Sequence, residues 1–238
     1  MNKELVIFGS SGALGSVAAR YFLAKEYDNI FLVSSKPLDI QLSDNCKIIV
    51  AGDLSDEDEV KNVFQNFIPS KEKIFYLFST IGGYTGGKPL WEESLNDFHT
   101  LLNKNLFANF LIIKHFALLA KECAGAAAVF TSAFSSLDYG EGSSLYGSSK
   151  AALNYLIKTV AIEGKKINLS INAIAPYIID TGKNREWFKG DYEELINPQE
   201  TARFVEDIFN NAQILTGNII LMPIRIKNLA KSGISENK

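Results

Sequence analysis

Cysteine is nearly absent from the chain, with Cys46 and Cys123 alone in 238 residues. Two thiols build neither a disulfide framework nor a thiolate metal cluster. Both read as small, inert side chains. Histidine is as scarce, and His99 and His115 share one helical stretch, where neither is expected to do chemistry. No metal site is expected. A basic excess is also missing: 24 Lys and Arg stand against 27 Asp and Glu, a net charge of -3. Nothing there would neutralise a phosphate backbone, so nucleic acid is excluded as the main partner. No apolar run reaches the ~18–20 residues of a membrane span. Met1–Ile7 runs straight into a strand pattern instead of a leader. These absences predict a soluble cytoplasmic protein that works on a small molecule.

What is present points to a large core. Hydrophobic residues make up 47% and charged residues 21%, which excludes a disordered chain. No linker interrupts the sequence, so one domain over residues 1–238 is expected, with a loose polar tail at 227–238. Short apolar runs stand at 5–8, 30–33, 47–51, 74–79, 126–131, 170–175 and 218–222. Helical patterns lie between them at 14–26, 57–67, 97–121, 145–163 and 198–210. Continuously apolar strands are buried on both faces. Their alternation with helices predicts an α/β doubly wound parallel sheet of about seven strands, with right-handed crossovers. The segment Asp180–Asn197 is polar and carries Trp187, Phe188 and Tyr192. It is too long for a simple connector and reads as a substrate lid or as a surface loop.

The first strand ends in Phe8-Gly9-Ser10-Ser11-Gly12-Ala13-Leu14-Gly15. Gly9 permits a tight turn, Gly12 a close approach to a pyrophosphate, and Gly15 close packing of helix on strand. Placed after a strand and before a helix, the pattern marks a dinucleotide site with phosphates at the helix N-terminus. The second strand runs into Ser34-Ser35-Lys36 with no acidic residue. A carboxylate there would accept the ribose 2′-hydroxyl of NAD. Small hydroxyls and a lysine suit a 2′-phosphate, which favours NADP(H) over NAD(H). A lysine merely solvated at the surface is the alternative. Asp53-Leu54 follows the third strand, and Asp53 reads either as acceptor for the adenine amino group or as a helix cap near Ser55.

Tyr146-Gly147-Ser148-Ser149-Lys150 sets a phenol and an ammonium on one helical face. An adjacent ammonium is expected to lower the phenol's pKa from its usual value near ~10. Such a tyrosine can protonate a carbonyl oxygen. The spacing alone is not specific, because Tyr21/Lys25 and Tyr84/Lys88 share it. Only Tyr146/Lys150 opens a helix after the fifth strand, at the strand ends where ligands bind.

Together, Gly9/Gly12/Gly15, Asp53-Leu54, Asn105, Tyr146/Lys150 and Asn172-Ala173-Ile174-Ala175-Pro176 with Thr181 resemble the short-chain dehydrogenase/reductase family, in family order. Where that family carries Asn-Asn-Ala-Gly after strand four, this chain has Ser79-Thr80-Ile81-Gly82. Pro176-Tyr177 stands for its Pro-Gly. The segments 12–16 and 82–87 and the Leu137-Asp138 spacing are similar to the family's dihydropteridine reductases. The resemblance implies an NAD(P)(H)-dependent oxidoreductase of a carbonyl or alcohol, with a quinonoid dihydropterin reductase as the alternative. A non-catalytic NADP-binding sensor or scaffold is the reading of another class. The resemblance further implies Tyr146 as proton donor and Lys150 on the nicotinamide ribose. Asn105 would bend its helix and hold a relay water. Cofactor contacts would come from Ser11, Leu14, Ile81, Gly82, Pro176, Ile179 and Thr181. It also implies a homodimer or homotetramer. The family's substrate-orienting serine, 13 residues before the tyrosine, falls on Ala133, and Ser132 fills its role if a bulge, or a one-residue insertion in the loop Phe134–Ser144, brings it round.

Overall fold

In the computed structural model, which describes residues 1–224, the chain forms seven parallel strands with helices on both faces. The tail expected at 227–238 lies outside the described residues. The strands are β1 (Asn2–Phe8), β2 (Asn29–Ser34), β3 (Cys46–Val50), β4 (Lys73–Ser79), β5 (Gly125–Thr131), β6 (Leu169–Pro176) and β7 (Ile219–Met222). Their order is β3-β2-β1-β4-β5-β6-β7, all parallel. The order reverses between β1 and β4, the switch point where open α/β sheets bind ligands.

The apolar runs become strands because both faces are covered. Val6 and Phe8 enter one core cluster with Leu77, Ala128 and Phe130. Their neighbours Leu5 and Ile7 enter the other with Phe78 and Val129. Alternation along each strand thus feeds two cores, which explains why the strands read as continuously apolar. The helices are α1 (Ala13–Leu23), α2 (Glu57–Phe64), α3 (Leu95–Leu102), α4 (Ala108–Lys121), α5 (Ser144–Gly164), α6 (Gly182–Arg185) and α7 (Pro198–Asn210). Side-chain caps start four of them: Asp56 at α2, Ser94 at α3, Thr181 at α6 and Asn197 at α7, where Pro198 sits in the first turn. α1, like α4 and α5, starts without one, Gly12 standing at its cap position.

Two expectations need correction. The stretch 97–121 is not one helix. A π-helical turn, Asn103–Phe107, divides α3 from α4. Its cause is Asn105, fully buried and bonded outside its own helix, as described below. Nor does Asp53 cap a helix. Its Oδ1 accepts from the Ser55 amide and hydroxyl at 2.9 and 2.8 Å, and the cap of α2 is Asp56.

Candidate active site

Glycine, serine and threonine residues at the ends of β1 and β4 shape the first half of the site. Gly9 has φ +79, and a Cβ there would lie 2.6 Å from Thr80 Oγ1. A Cβ on Gly15 would stand 2.1 Å from the Gly9 carbonyl oxygen, an impossible contact. Any side chain at Gly15 would push α1 off the loop. Thr80 Oγ1 bonds back to the carbonyls of Phe8 and Gly9 at 3.0 and 3.2 Å. The threonine that departs from the family pattern therefore pins the glycine turn. The first amides of α1 have no intrahelical acceptor, and no side chain caps them. A pyrophosphate fits that cradle: glycines where side chains would collide, and open donors at a positive helix end. Ser11 is half-buried beside it, while the Leu14 side chain turns into the core.

The second half lies on α5 and the π turn. Asn105 Nδ2 donates to the Gly83 carbonyl and to Ser149 Oγ, each at 3.0 Å, and its Oδ1 accepts from the Gly83 amide at 2.8 Å. Ser149 Oγ donates to the Tyr146 carbonyl at 2.8 Å. Lys150 is fully buried and donates to the Thr131 carbonyl at 2.7 Å. A Cβ on Gly82 would lie 2.8 Å from Lys150 Nζ and 2.9 Å from Asn105 Oδ1, so only glycine passes between them. Tyr146, Lys150, Asn105, Ile81 and Gly82, expected as site residues from the sequence, thus converge at the ends of β4 and β5. Asn109, Ser149 and Thr80 were not anticipated. Asn109 Nδ2 donates to the carbonyls of Asn105 and Ile81, and its Oδ1 accepts from Ser79 Oγ. Its signal in the sequence is a second asparagine four residues after Asn105 in an apolar run.

Electrostatics overturn one expectation. Lys150 does not lower the Tyr146 pKa. Burial pushes the phenol up to about 12, and the negative charge that Tyr84 would carry when ionised adds to the rise. Burial likewise pushes the Lys150 ammonium down to about 7. Desolvation penalises both charges, and the amine faces the Thr131 carbonyl. Tyr84 packs edge-on against Tyr146, ring centroids 5.0 Å apart.

Other expected residues sit apart from this cluster. Ser132 continues the ladder, its amide bonded to Ile174 O at 2.7 Å, without a bulge. Its hydroxyl pairs with Ser136 Oγ at 3.2 Å, which in turn accepts from Asn154 Nδ2 at 2.8 Å. Asn154 lies a further turn along α5 from Lys150. Ala133 is buried where the family serine would stand. The Ser34 hydroxyl donates to the Lys36 carbonyl, which leaves Ser35 and Lys36 as the exposed groups after β2. β6 ends at Pro176. Thr181 accepts from the Asn184 amide, capping α6, and Ile179 pairs with Ile196 at the base of the 180–197 segment. Leu54 packs against the core. Among the described residues, no cluster of His, Cys, Asp and Glu could hold a metal, and no helix is long and apolar enough to cross a membrane.

The chain is similar to known proteins in sequence and in fold. Over 189 residues the chain is 28% identical to the dihydropteridine reductase of Dictyostelium discoideum, covering 79% of this chain and 78% of that protein. Carbonyl reductase family member 4 of Xenopus tropicalis is 23% identical over 232 residues, 93% of this chain and 97% of the relative. The solved structure of ElxO with NADP bound superposes with a TM-score of 0.77 at 23% identity, covering 93% and 97% of the two chains. The family model described as short chain dehydrogenase matches residues 3–191. With its glycine turn, its seven-stranded sheet and this match over most of its length, the chain belongs to the short chain dehydrogenase family, an α/β fold of oxidoreductases that use a nicotinamide cofactor.

Proposed function

We propose that the protein is an NADP(H)-dependent reductase of a carbonyl group, acting also in the alcohol-oxidising direction, with Tyr146 as the proton donor. The observation that carries this reading is the half-buried Tyr146 set beside the buried Ser149, Lys150 and Asn105, the last two flanking Gly82. A bound reduced nicotinamide would supply hydride to the carbonyl carbon. A phenol held protonated far above neutral pH is a donor, so Tyr146 is poised to protonate the carbonyl oxygen. Lys150 would hold the nicotinamide ribose. Asn105, fixed by Gly83 and Ser149, would hold a water in the proton path. Residues 180–197 would close over the substrate, tied at their base by the Asp180 amide to Ile196 O at 2.8 Å.

Ser132 favours a second reading. Its hydroxyl is taken by Ser136, and Ala133 offers no donor. A quinonoid dihydropterin, whose charge spreads over a ring, needs less help from that position than an isolated ketone. The likeness to the Dictyostelium reductase supports the same alternative. Oxidation of NADPH against a panel of ketones, aldehydes and quinonoid dihydropterin separates the two. Activity on ketones supports the first, and activity on the pterin alone supports the second. Tight NADPH binding without turnover on any of them would leave a nucleotide-binding sensor. A homodimer or homotetramer fits the exposed Phe107, Phe110 and Leu118 along the π turn and α4, and Tyr155 and Ile162 on α5. A monomer at micromolar concentration in sedimentation would refute the assembly.

A further inference from the structure

A groove of about 270 Å³ runs between α1 and the segment after β2. Ser10, Ser11, Ser16, Arg20, Lys36 and Asp39 line it. It adjoins the glycine turn at the end of β2, where the adenosine ribose of a dinucleotide falls in this architecture. The sequence pattern assigned that ribose to Ser34, Ser35 and Lys36. The structure withdraws Ser34, whose hydroxyl proton goes to the Lys36 carbonyl. It adds Arg20, a residue that no motif singles out.

Arg20 stands two turns into α1, on the same face as Ser16. Helical side chains lean toward the N-terminus, and its Nη1 reaches back to within 3.5 Å of the Ser16 carbonyl. The guanidinium is thereby directed at the start of α1, into the groove. Among the described residues it belongs to none of the ion pairs. An arginine fork binds a phosphate through two parallel N–H bonds, which a lysine cannot match. Asp39 shares the groove and opposes an anion, so Lys36 alone would leave the pocket neutral. Lys36 with Arg20 leaves it one charge positive.

We propose that Arg20 is the principal determinant of 2′-phosphate recognition, acting with Lys36 across this groove, and that Asp39 weakens the grip. This inference rests on the NADP(H) reading above. The test is calorimetric binding of NADPH, NADH, 2′,5′-ADP and 5′-AMP to the full chain and to Arg20→Gln, Arg20→Lys and Asp39→Asn. Arg20 is exposed and glutamine is a good helix former, so folding should survive, with the melting temperature as check. Charge-assisted bonds of this kind are worth roughly 10- to 100-fold in affinity. Arg20→Gln is expected to lose about that much for NADPH and 2′,5′-ADP, with NADH and 5′-AMP changed less than about twofold. Arg20→Lys should fall between, and Asp39→Asn should tighten NADPH. If the parent binds NADPH no more tightly than NADH, the NADP(H) reading fails first. If the parent prefers NADPH and Arg20→Gln keeps that preference, the role of Arg20 is overturned while the cofactor reading stands. Weaker NADPH binding by Asp39→Asn would overturn the assignment of Asp39.

Discussion

The same five-residue pattern, Tyr-x-x-x-Lys, occurs across the C-terminal end of α1 and on α5 and does opposite things. On α1, Tyr21 donates to Glu206 at 2.5 Å, and Lys25 pairs with the same carboxylate at 2.9 Å. The Lys25 amine also lies 4.6 Å from the Tyr21 ring centre. The bond to Glu206, and then the one to Tyr21, push the Lys25 pKa up. That trio ties α1 to α7 at the surface. On α5, Lys150 donates to the Thr131 carbonyl in a buried setting, and its pKa falls to about 7. A carboxylate partner and solvent make a strut; burial without a carboxylate brings the ammonium down toward neutral pH and holds the phenol protonated well above it. Chemistry here follows from surroundings and not from the pattern. The third occurrence, Tyr84/Lys88, lies in a loop without helical spacing, yet its tyrosine packs on Tyr146.

Substituting the two tyrosines alike is the harshest test of this contrast. Tyr146→Phe should lower turnover on a carbonyl by about 10²–10⁴, the usual weight of general acid catalysis, with NADPH affinity retained. Tyr21→Phe should leave turnover within about twofold. Equal effects at the two positions would break the contrast.

The lysines separate by pH. In Lys150 the folded pKa lies below the unfolded value of 10.5. Between about pH 7 and 10.5 the unfolded chain therefore binds more protons, and stability rises with pH across that window. Lys150→Met removes this slope. Measured without nucleotide, its melting temperature should exceed the parent's at pH 7, with the gap closing toward pH 10. The ceiling is of the order of 4–5 kcal/mol at pH 7. A gap that stays constant from pH 7 to 10 would show that Lys150 is charged throughout. Lys25 has the opposite sign. Its raised pKa adds stability that is fully present below 10.5 and is lost only as pH climbs above it.

The smallest effect is expected from Lys25→Met itself. The lysine is partly exposed, and surface ion pairs are worth roughly 0–1 kcal/mol. A shift of melting temperature beyond a few degrees would mean that the α1–α7 strut carries more than a surface pair can. Between these extremes stands Asn109→Ala. It frees the Ile81 and Asn105 carbonyls and the Ser79 hydroxyl in a buried setting. A loss of about 1–3 kcal/mol of stability is expected, with turnover falling as the π turn relaxes. Unchanged turnover would detach the π turn from the site.

Much of this was readable before the fold was known. The strands at 5–8, 74–79 and 126–131 were legible because burial on both faces leaves no polar position to blur them. Gly9 and Gly15 were legible because a positive φ at Gly9 and the 2.1 Å backbone contact at Gly15 admit no other residue, and a Cβ on Gly12 would stand a tight 3.2 Å from the Gly9 carbonyl oxygen. Residue by residue, Asn105 reads as a polar residue in an apolar helix, and the family resemblance adds a bend there. That the bend is a π turn was not legible, because its cause is a bond to Gly83, 22 residues away. Ser132 and Ala133 were left open for a similar reason, since a partner at Ser136 decides where the hydroxyl points.

By itself, then, the sequence determined local matters: which runs become strands, which glycines the turn requires, and that one tyrosine and lysine share a helical face. Periodicity and steric exclusion act over a few residues and are written in order along the chain. The tertiary structure decided charge and access. It set the Lys150 and Tyr146 pKa values by desolvation, gave Lys25 its acid from α7, and brought Arg20 and Lys36 to one groove. Those quantities depend on what surrounds a group in space, and the groups concerned come from segments separated by as many as 181 residues, from Lys25 to Glu206.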